Sequence, residues 1–332
     1  MNSTNEEMAR LKARRLAAIK GAIYTFVLGT ILVTVCGNLM VIISIAHFKQ
    51  LHSPTNFLIL SLGCVDCLLG VLVMPYSMVR SVETCWYFGD LFCKIHSSLD
   101  MTISVASILH LNCIAVDRYF AICNPLRYQN IITTLVVAIF IGIVWLYSLL
   151  FGFGLVFFKG SLASTDELII SNSCVGSCFI QFDKHWAVLG LLLVFFLPAV
   201  LMISLYVKIL IVASRQAKVI KEISGTVVSQ NGNKNKIKAN RERKAVKTLS
   251  IVIGIYLLCY VPFSVTTVTD LFLIFSPPVV IFDTLIWLGY FNSTCNPIIY
   301  AFFYPWFQKA FKIIITGNVF HFGSSSINLF SD

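Results

Sequence analysis

The chain has 332 residues, 58% of them apolar and only 12% charged, with a net charge of +10 and a mean hydropathy of +0.84. A soluble domain carries about 25% charged residues, so this composition excludes an ordinary cytosolic enzyme and a disordered regulator. The basic residues cluster in short segments between long apolar runs, which excludes a nucleic-acid binder and fits a membrane protein with basic cytosolic loops.

Residues 1–19 form a polar N-terminal tail with Arg10, Lys12, Arg14 and Arg15 on an amphipathic pattern, and Asn2-Ser3-Thr4 is a glycosylation sequon at Asn2. Seven apolar segments follow, at about 20–45, 56–79, 91–123, 130–153, 185–213, 246–274 and 280–304, each long enough to cross a bilayer. Cys85, Cys93, Cys174 and Cys178 lie in or beside polar loops and are the disulfide candidates, sharing the oxidising side. The other cysteines of the apolar runs read as small packed hydrophobes. Lysines and arginines from Lys208 to Lys247 put the third loop, about 214–245, in the cytosol, and residues 223–240 read as flexible. With seven spans the N-terminus is then outside, although the basic tail opposes that orientation. Asn292-Ser293-Thr294 is a second sequon, discounted because it falls inside a span. Trp306 to Ile315 alternates aromatic, basic and aliphatic residues as a surface amphipathic helix does, within a C-terminal segment 305–332. The expected fold is all-α: a seven-transmembrane helix bundle over 20–304 with a short amphipathic helix on the cytosolic side.

Two carboxylates inside spans carry the functional signal. Asp100 has no basic partner in the apolar layer: Arg118, at the cytosolic end of the same span, is about 27 Å away along a helix. Asp100 lies about two turns below Cys93. An unpaired carboxyl there is either a counter-ion for a ligand or a hydrogen-bonded structural group, and aromatic residues Phe263, Trp287 and Tyr290 favour an ammonium ligand. Asp66, mid-span, has polar residues at similar depth in Asn38, Ser107, Asn292, Ser293 and Asn296. They suit either a hydrated cation or a buried hydrogen-bond network, and spacing favours the network. Pro198, Pro262 and Pro297 interrupt the last three spans, where prolines are tolerated as kinks. Lone histidines such as His47 and His110 read as packed or interfacial. No nucleophile–base set, paired carboxylates or metal-ligand spacing is present, so no enzyme is expected.

These residues resemble the rhodopsin-like G-protein-coupled receptors across every span. The carriers are Gly37-Asn38, Asp66 in Ser61-Leu62-Gly63-Cys64-Val65-Asp66, Asp117-Arg118-Tyr119, Trp145, Pro198 with Tyr206, Cys259-Tyr260-Val261-Pro262-Phe263, and Asn296-Pro297-Ile298-Ile299-Tyr300. The run from Asn292 to Phe307 is similar to the trace amine-associated receptors, as are Arg80 to Gly89 and Glu242 to Ala245. That resemblance implies roles. Asp100 binds an ammonium, Tyr290 holds its carboxylate, Trp287 covers the site, and Met101, Ser104, Tyr260, Phe263, Ser264 and Thr267 complete it. Asp66, Ser107, Asn292, Ser293 and Asn296 match a sodium site, with sodium as allosteric modulator and no other cofactor. Arg118, flanked by Asp117 and Tyr119, faces Glu242 in the inactive state, and Tyr206 and Tyr300 join the activation machinery. Cys93 pairs with Cys178. Two departures stand out. Tyr260 replaces the family's sixth-span tryptophan, and the tail lacks the subfamily's cysteine, leaving Cys174 free or bonded to Cys85.

Gly190, Leu191 and Val194 offer no hydrogen bond to a catechol and no second carboxylate. The expectation is a plasma-membrane, multi-pass olfactory receptor for a primary monoamine. It would signal through a stimulatory or olfactory-type heterotrimeric G protein to raise cyclic AMP, with membrane lipid and no nucleic acid as further partner. Alternatives are a diamine or polyamine receptor using Asp183 or Asp270, or a cation transporter or channel. The lack of an inverted repeat argues against the transporter.

Overall fold

Inside an apolar layer the backbone has no water to bond with, so each long apolar run closes its hydrogen bonds upon itself. The computed structural model describes residues 2–162, 178–226, 231–273, 278–321 and 323–329; within 2–11, 216–226 and 231–246 and at 162, 249 and 273 the backbone alone is described. Helix α1 (Asn2–His47) holds the first span. The second comprises α2 (Pro54–Leu68), a wide π-turn (Leu69–Val73) and α3 (Met74–Glu83). Helix α4 (Asp90–Cys123) is the third span, α5 (Pro125–Ile131) a short connector and α6 (Thr134–Lys159) the fourth span. Two short strands follow, β1 (Gly160–Leu162) and β2 (Ile180–Phe182). The fifth span is α7 (Lys184–Leu191), a second π-turn (Leu192–Phe196) and α8 (Leu197–Thr226). Helices α9 (Asn231–Leu273), α10 (Val279–Phe303) and α11 (Pro305–Ile315) complete the chain.

Local chemistry sets these boundaries. Ser53 caps α2 by accepting the Asn56 N–H at 3.3 Å, with Pro54 at the first helical position. Thr133 caps α6 by accepting the Val136 N–H at 3.3 Å. Thr84, at φ 53°, ends α3, and Gly89, at φ 79°, admits the turn into α4. Pro75 and Pro198 each sit two residues beyond a π-turn. A proline has no N–H to give the preceding turn, and the wider turn absorbs that defect. Pro262 and Pro297 lie inside continuous helices.

Among the described residues, six helical spans are long and apolar enough to cross a membrane. The seventh, α10, is less apolar because it buries Asn292, Ser293, Thr294 and Asn296. Three stretches differ from the sequence expectation. The N-terminal tail continues α1 as helix from Asn2, built of good helix formers with no glycine or proline before Gly21. The third loop is narrower than 223–240, since helix reaches Thr226 and resumes at Asn231, again through Lys, Arg, Glu and Ala. The antiparallel β1–β2 pair, with Ser161 opposite Gln181, has no periodic signal in so short a segment.

Helix α4 is central and packs on α2, α6 and α8, while α10 packs on α1 and α9. Its His110 ring bonds the Ala106 carbonyl (2.7 Å) and Ser61 (2.8 Å), and Trp145 donates to the same Ser61 (3.1 Å), so three spans meet on one hydroxyl. Below them, α11 turns under the bundle. Trp306 and Phe307 cluster with Phe48, Leu51 and Leu329, and the Leu329 N–H donates to Gln50 at 3.0 Å. At the other end Lys20 reaches Glu83 at 2.6 Å and Tyr24 donates to the same carboxylate at 2.9 Å.

Gly152 marks the closest approach of α6 to α4: a Cβ there would stand 2.8 Å from the Ser98 carbonyl and from the Thr102 nitrogen. Backbone cannot yield as a side chain can. Gly152→Ala is therefore expected to destabilise the bundle by about 1–3 kcal/mol, read as a lower melting temperature of purified protein and reduced surface level.

Candidate functional site

The disulfide Cys93–Cys178 fixes the loop before β2 against the start of α4, with a Cα–Cα distance of 5.6 Å. Trp86 closes over it in a shared cluster. Cys85 is disulfide-bonded as well; Cys174 lies outside the described residues. Beneath the Cys93–Cys178 bridge opens a cavity of about 370 Å³.

Asp100 lines this cavity, seven residues along α4 from Cys93. Tyr290 donates to its Oδ2 at 2.7 Å and Ser104 to its Oδ1 at 3.4 Å. A longer chain stands behind Tyr290. Its hydroxyl lies 3.2 Å from Ser77 Oγ, which lies 3.2 Å from His96 Nε2, itself 3.2 Å from the Val73 carbonyl. The directions follow from the acceptors. A carbonyl can only accept, so His96 Nε2 carries the proton. Tyr290 spends its proton on Asp100, so Ser77 donates to Tyr290 and accepts from His96. Tyr290 and Ser77 thus point their protons toward the carboxylate and polarise one another, while the single His96 Nε2 proton is shared between Ser77 and the Val73 carbonyl.

The walls are apolar. Met101, Tyr260, Phe263, Gly190, Leu191 and Val194 line the cavity, so the fifth span presents no polar side chain at those three positions. Ser264 and Thr267 line it too, but each hydroxyl donates to its own helix, to the Tyr260 carbonyl (2.9 Å) and the Phe263 carbonyl (2.9 Å). Trp287 is absent from the lining. It stacks edge-on against Tyr290 at 5.3 Å between centroids and donates to Ser81 at 3.1 Å, which makes it a backing group rather than a cover. Asp183 and Asp270 also lie outside the lining. Tyr260 packs on Tyr256 at 5.2 Å, and Tyr256 on Phe195 at 6.1 Å, so the tyrosine in the tryptophan position joins an aromatic stack.

Deeper in the bundle Asp66 is fully buried. Asn296 donates to it at 2.7 Å and Ser107 at 3.4 Å. Asn38 donates to the Thr34 carbonyl (2.9 Å) and the Ser293 carbonyl (3.1 Å), tying α1 to α10. Asn292 and Ser293 are buried on the same turns, and the Asn292 amide nitrogen meets no partner. Among the described residues, no cationic side chain pairs with Asp66.

At the end opposite the disulfide, Arg118 bonds its neighbour Asp117 through Nε (2.8 Å) and Nη2, and Nη2 also reaches Thr55 at 2.6 Å. Asp117 further accepts from Thr55 (3.0 Å) and Tyr128 (2.8 Å). Tyr119 packs against the central cluster, Tyr206 hydrogen-bonds Ser250, and Tyr300 is buried above α11. The side chains of Glu242 and Asn2 lie outside those described, so the expected Arg118–Glu242 contact and the glycosylation site have no geometry here. Thr55, Tyr128, Ser77 and His96 escaped the sequence reading. Thr55, Tyr128 and Ser77 sit on different elements from the carboxylates they serve, and His96, one turn from Asp100 on α4, acts only through Ser77 of α3, so no local spacing announces them.

The chain matches the model of the 7 transmembrane receptor (rhodopsin family) over residues 37–300. It is 48% identical over 315 residues to trace amine-associated receptor 4 of Mus musculus, covering 95% of this chain and 91% of that protein. It is 46% identical over 313 residues to trace amine-associated receptor 1 of Homo sapiens (94% and 92%). With trace amine-associated receptor 13c of Danio rerio the identity is 45% over 323 residues (97% and 93%).

Asp117 is buried and draws on three side chains. Removing one donor with Tyr128→Phe should cost about 1.5–3 kcal/mol, the range for hydrogen bonds to a charged group. Thermal unfolding of the purified protein in detergent checks this.

Proposed function

The chain belongs to the rhodopsin family of seven-transmembrane receptors and, within it, to the trace amine-associated receptors; on that premise we propose that it detects a primary monoamine with an apolar body. The observation that carries the proposal is the Asp100 carboxylate. It stands in an apolar cavity, oriented by Tyr290 and by the donor chain behind it, with no cationic side chain paired to it among the described residues. An ammonium supplies the missing charge, and the aromatic walls suit its carbon body.

The N-terminus and the disulfide then face outward at the plasma membrane, and Asn2 carries a glycan. Amine binding shifts an inactive–active equilibrium. The Asp117–Arg118–Thr55–Tyr128 cluster opens, and Arg118, Tyr206 and Tyr300 meet a stimulatory or olfactory-type G protein that raises cyclic AMP. Tyr119 and Glu242 belong to the same cytosolic face. The relatives' name supports amines as ligands, and an olfactory role is the extension proposed for this chain. Around Asp66 the residues fit sodium: a buried carboxylate, the Ser107 hydroxyl and the unpartnered Asn292 amide offer oxygen ligands after a rotation of that amide. The ion would stabilise the inactive bundle.

Cells expressing the wild type should raise cyclic AMP to primary monoamines, and Asp100→Ala at equal surface level should abolish the response. Silence of a well-expressed wild type across such a panel, or a response that survives Asp100→Ala, would sink the reading.

A further inference from the structure

The cavity has a second polar pole. Arg80, on α3, lines it near the roof, only 8% exposed, with its guanidinium carbon 5.9 Å from the ring centre of Phe179, the residue after Cys178. Its one charged neighbour among the described residues is Asp283, at 3.7 Å from Nη2. That separation compensates charge but exceeds hydrogen-bond range. Nε and Nη2 are accordingly buried without an acceptor, and Asp283 Oδ1 is buried without a donor. Leaving such groups unpaired costs more than leaving neutral ones so. Nε and Nη2 carry three of the guanidinium's five donors, and the loosely held carboxylate takes none of these three.

From this we infer that the receptor takes a bifunctional ligand: a primary ammonium at Asp100 and, at its far end, an uncharged oxygen acceptor at Arg80. The inference rests on the monoamine reading above and names the class of amine. Depth sets the length. Arg80 sits against Phe179, next to Cys178, and Asp100 lies seven residues down α4 from the bridged Cys93, about 10 Å at the helical rise. The ligand is therefore extended, with its polar end toward the mouth. An uncharged oxygen suits the pole better than a carboxylate because Asp283 already offsets the positive charge. A second carboxylate would leave a net negative charge in a site with no further cation among the lining residues. Met101, Leu191, Val194 and Phe263 hold the chain between the poles.

The test compares ω-methoxyalkylamines with alkylamines of equal heavy-atom count, one CH₂ exchanged for oxygen, together with ω-amino acids, by cyclic AMP in expressing cells. In the wild type the ether of matching length should act at about tenfold lower concentration than its carbon isostere, the increment of one hydrogen bond to a charged donor. In Arg80→Gln that ratio should fall to near one, whatever the substitution does to either ligand alone. In Asp283→Asn, with the guanidinium charge no longer offset, ω-amino acids should gain relative to the ethers. The wild-type ratio needs no variant to fold. A wild-type ratio near one with plain alkylamines active through Asp100 overturns this inference alone, as does a ratio that persists in Arg80→Gln. Silence to every amine overturns it together with the reading beneath it.

Discussion

A carboxyl group in an apolar layer has no water to bond with, and two of them organise this bundle. Asp66 draws in Ser107 from α4 and Asn296 from α10; Asp100 draws in Tyr290 from α10. Each bond crosses between helices, so meeting the needs of the carboxylates also sets the depth of one span against another. Apolar packing gives the helices a reason to associate but little reason to choose a register. The polar contacts choose it, and Asn38, bonded to backbone of both α1 and α10, extends the choice to the first span. The seventh span contributes most of these partners and is less apolar for that reason.

The same residues explain why so much was legible. An acid inside an apolar run is costly enough to be conspicuous, so Asp66 and Asp100 stood out by their place within the spans. The spans were visible as long apolar runs and the amphipathic α11 as a surface pattern. What stayed hidden was whatever a residue owes to a different helix. Ser77 and His96 are unremarkable in their own segments and acquire meaning only when α3, α4 and α10 meet. Trp287 carried the right chemistry, but its ring lies behind Tyr290, and no periodicity separates a wall from its backing. The tail's amphipathic pattern was visible, but not that its helix runs unbroken into the first span, although its residues are good helix formers.

Charge is distributed along the bundle axis in a consistent way. The disulfide end holds Arg80 loosely against Asp283 beside the cavity, and the opposite end holds Arg118 tightly against Asp117, Thr55 and Tyr128. A loosely held guanidinium has donors to offer an incoming molecule. A tightly held one must break contacts before it can meet anything. The two ends are thus chemically suited to different tasks, capture at one and latching at the other.

The wide turn at Leu69–Val73 has a consequence for how the second span is aligned with other helices. A π-turn fits one more residue into its coil than a regular helix would, so everything after it is rotated relative to everything before. Asp66 and the pair Ser77 and Arg80 all face inward, but they do so on two different phases of one span. A single-residue deletion between them would leave Asp66 in place and swing Ser77 and Arg80 toward lipid. That stretch of chain acts as a dial whose setting is one residue, and aligning the span by unbroken helical periodicity would assign its outer half to the wrong face.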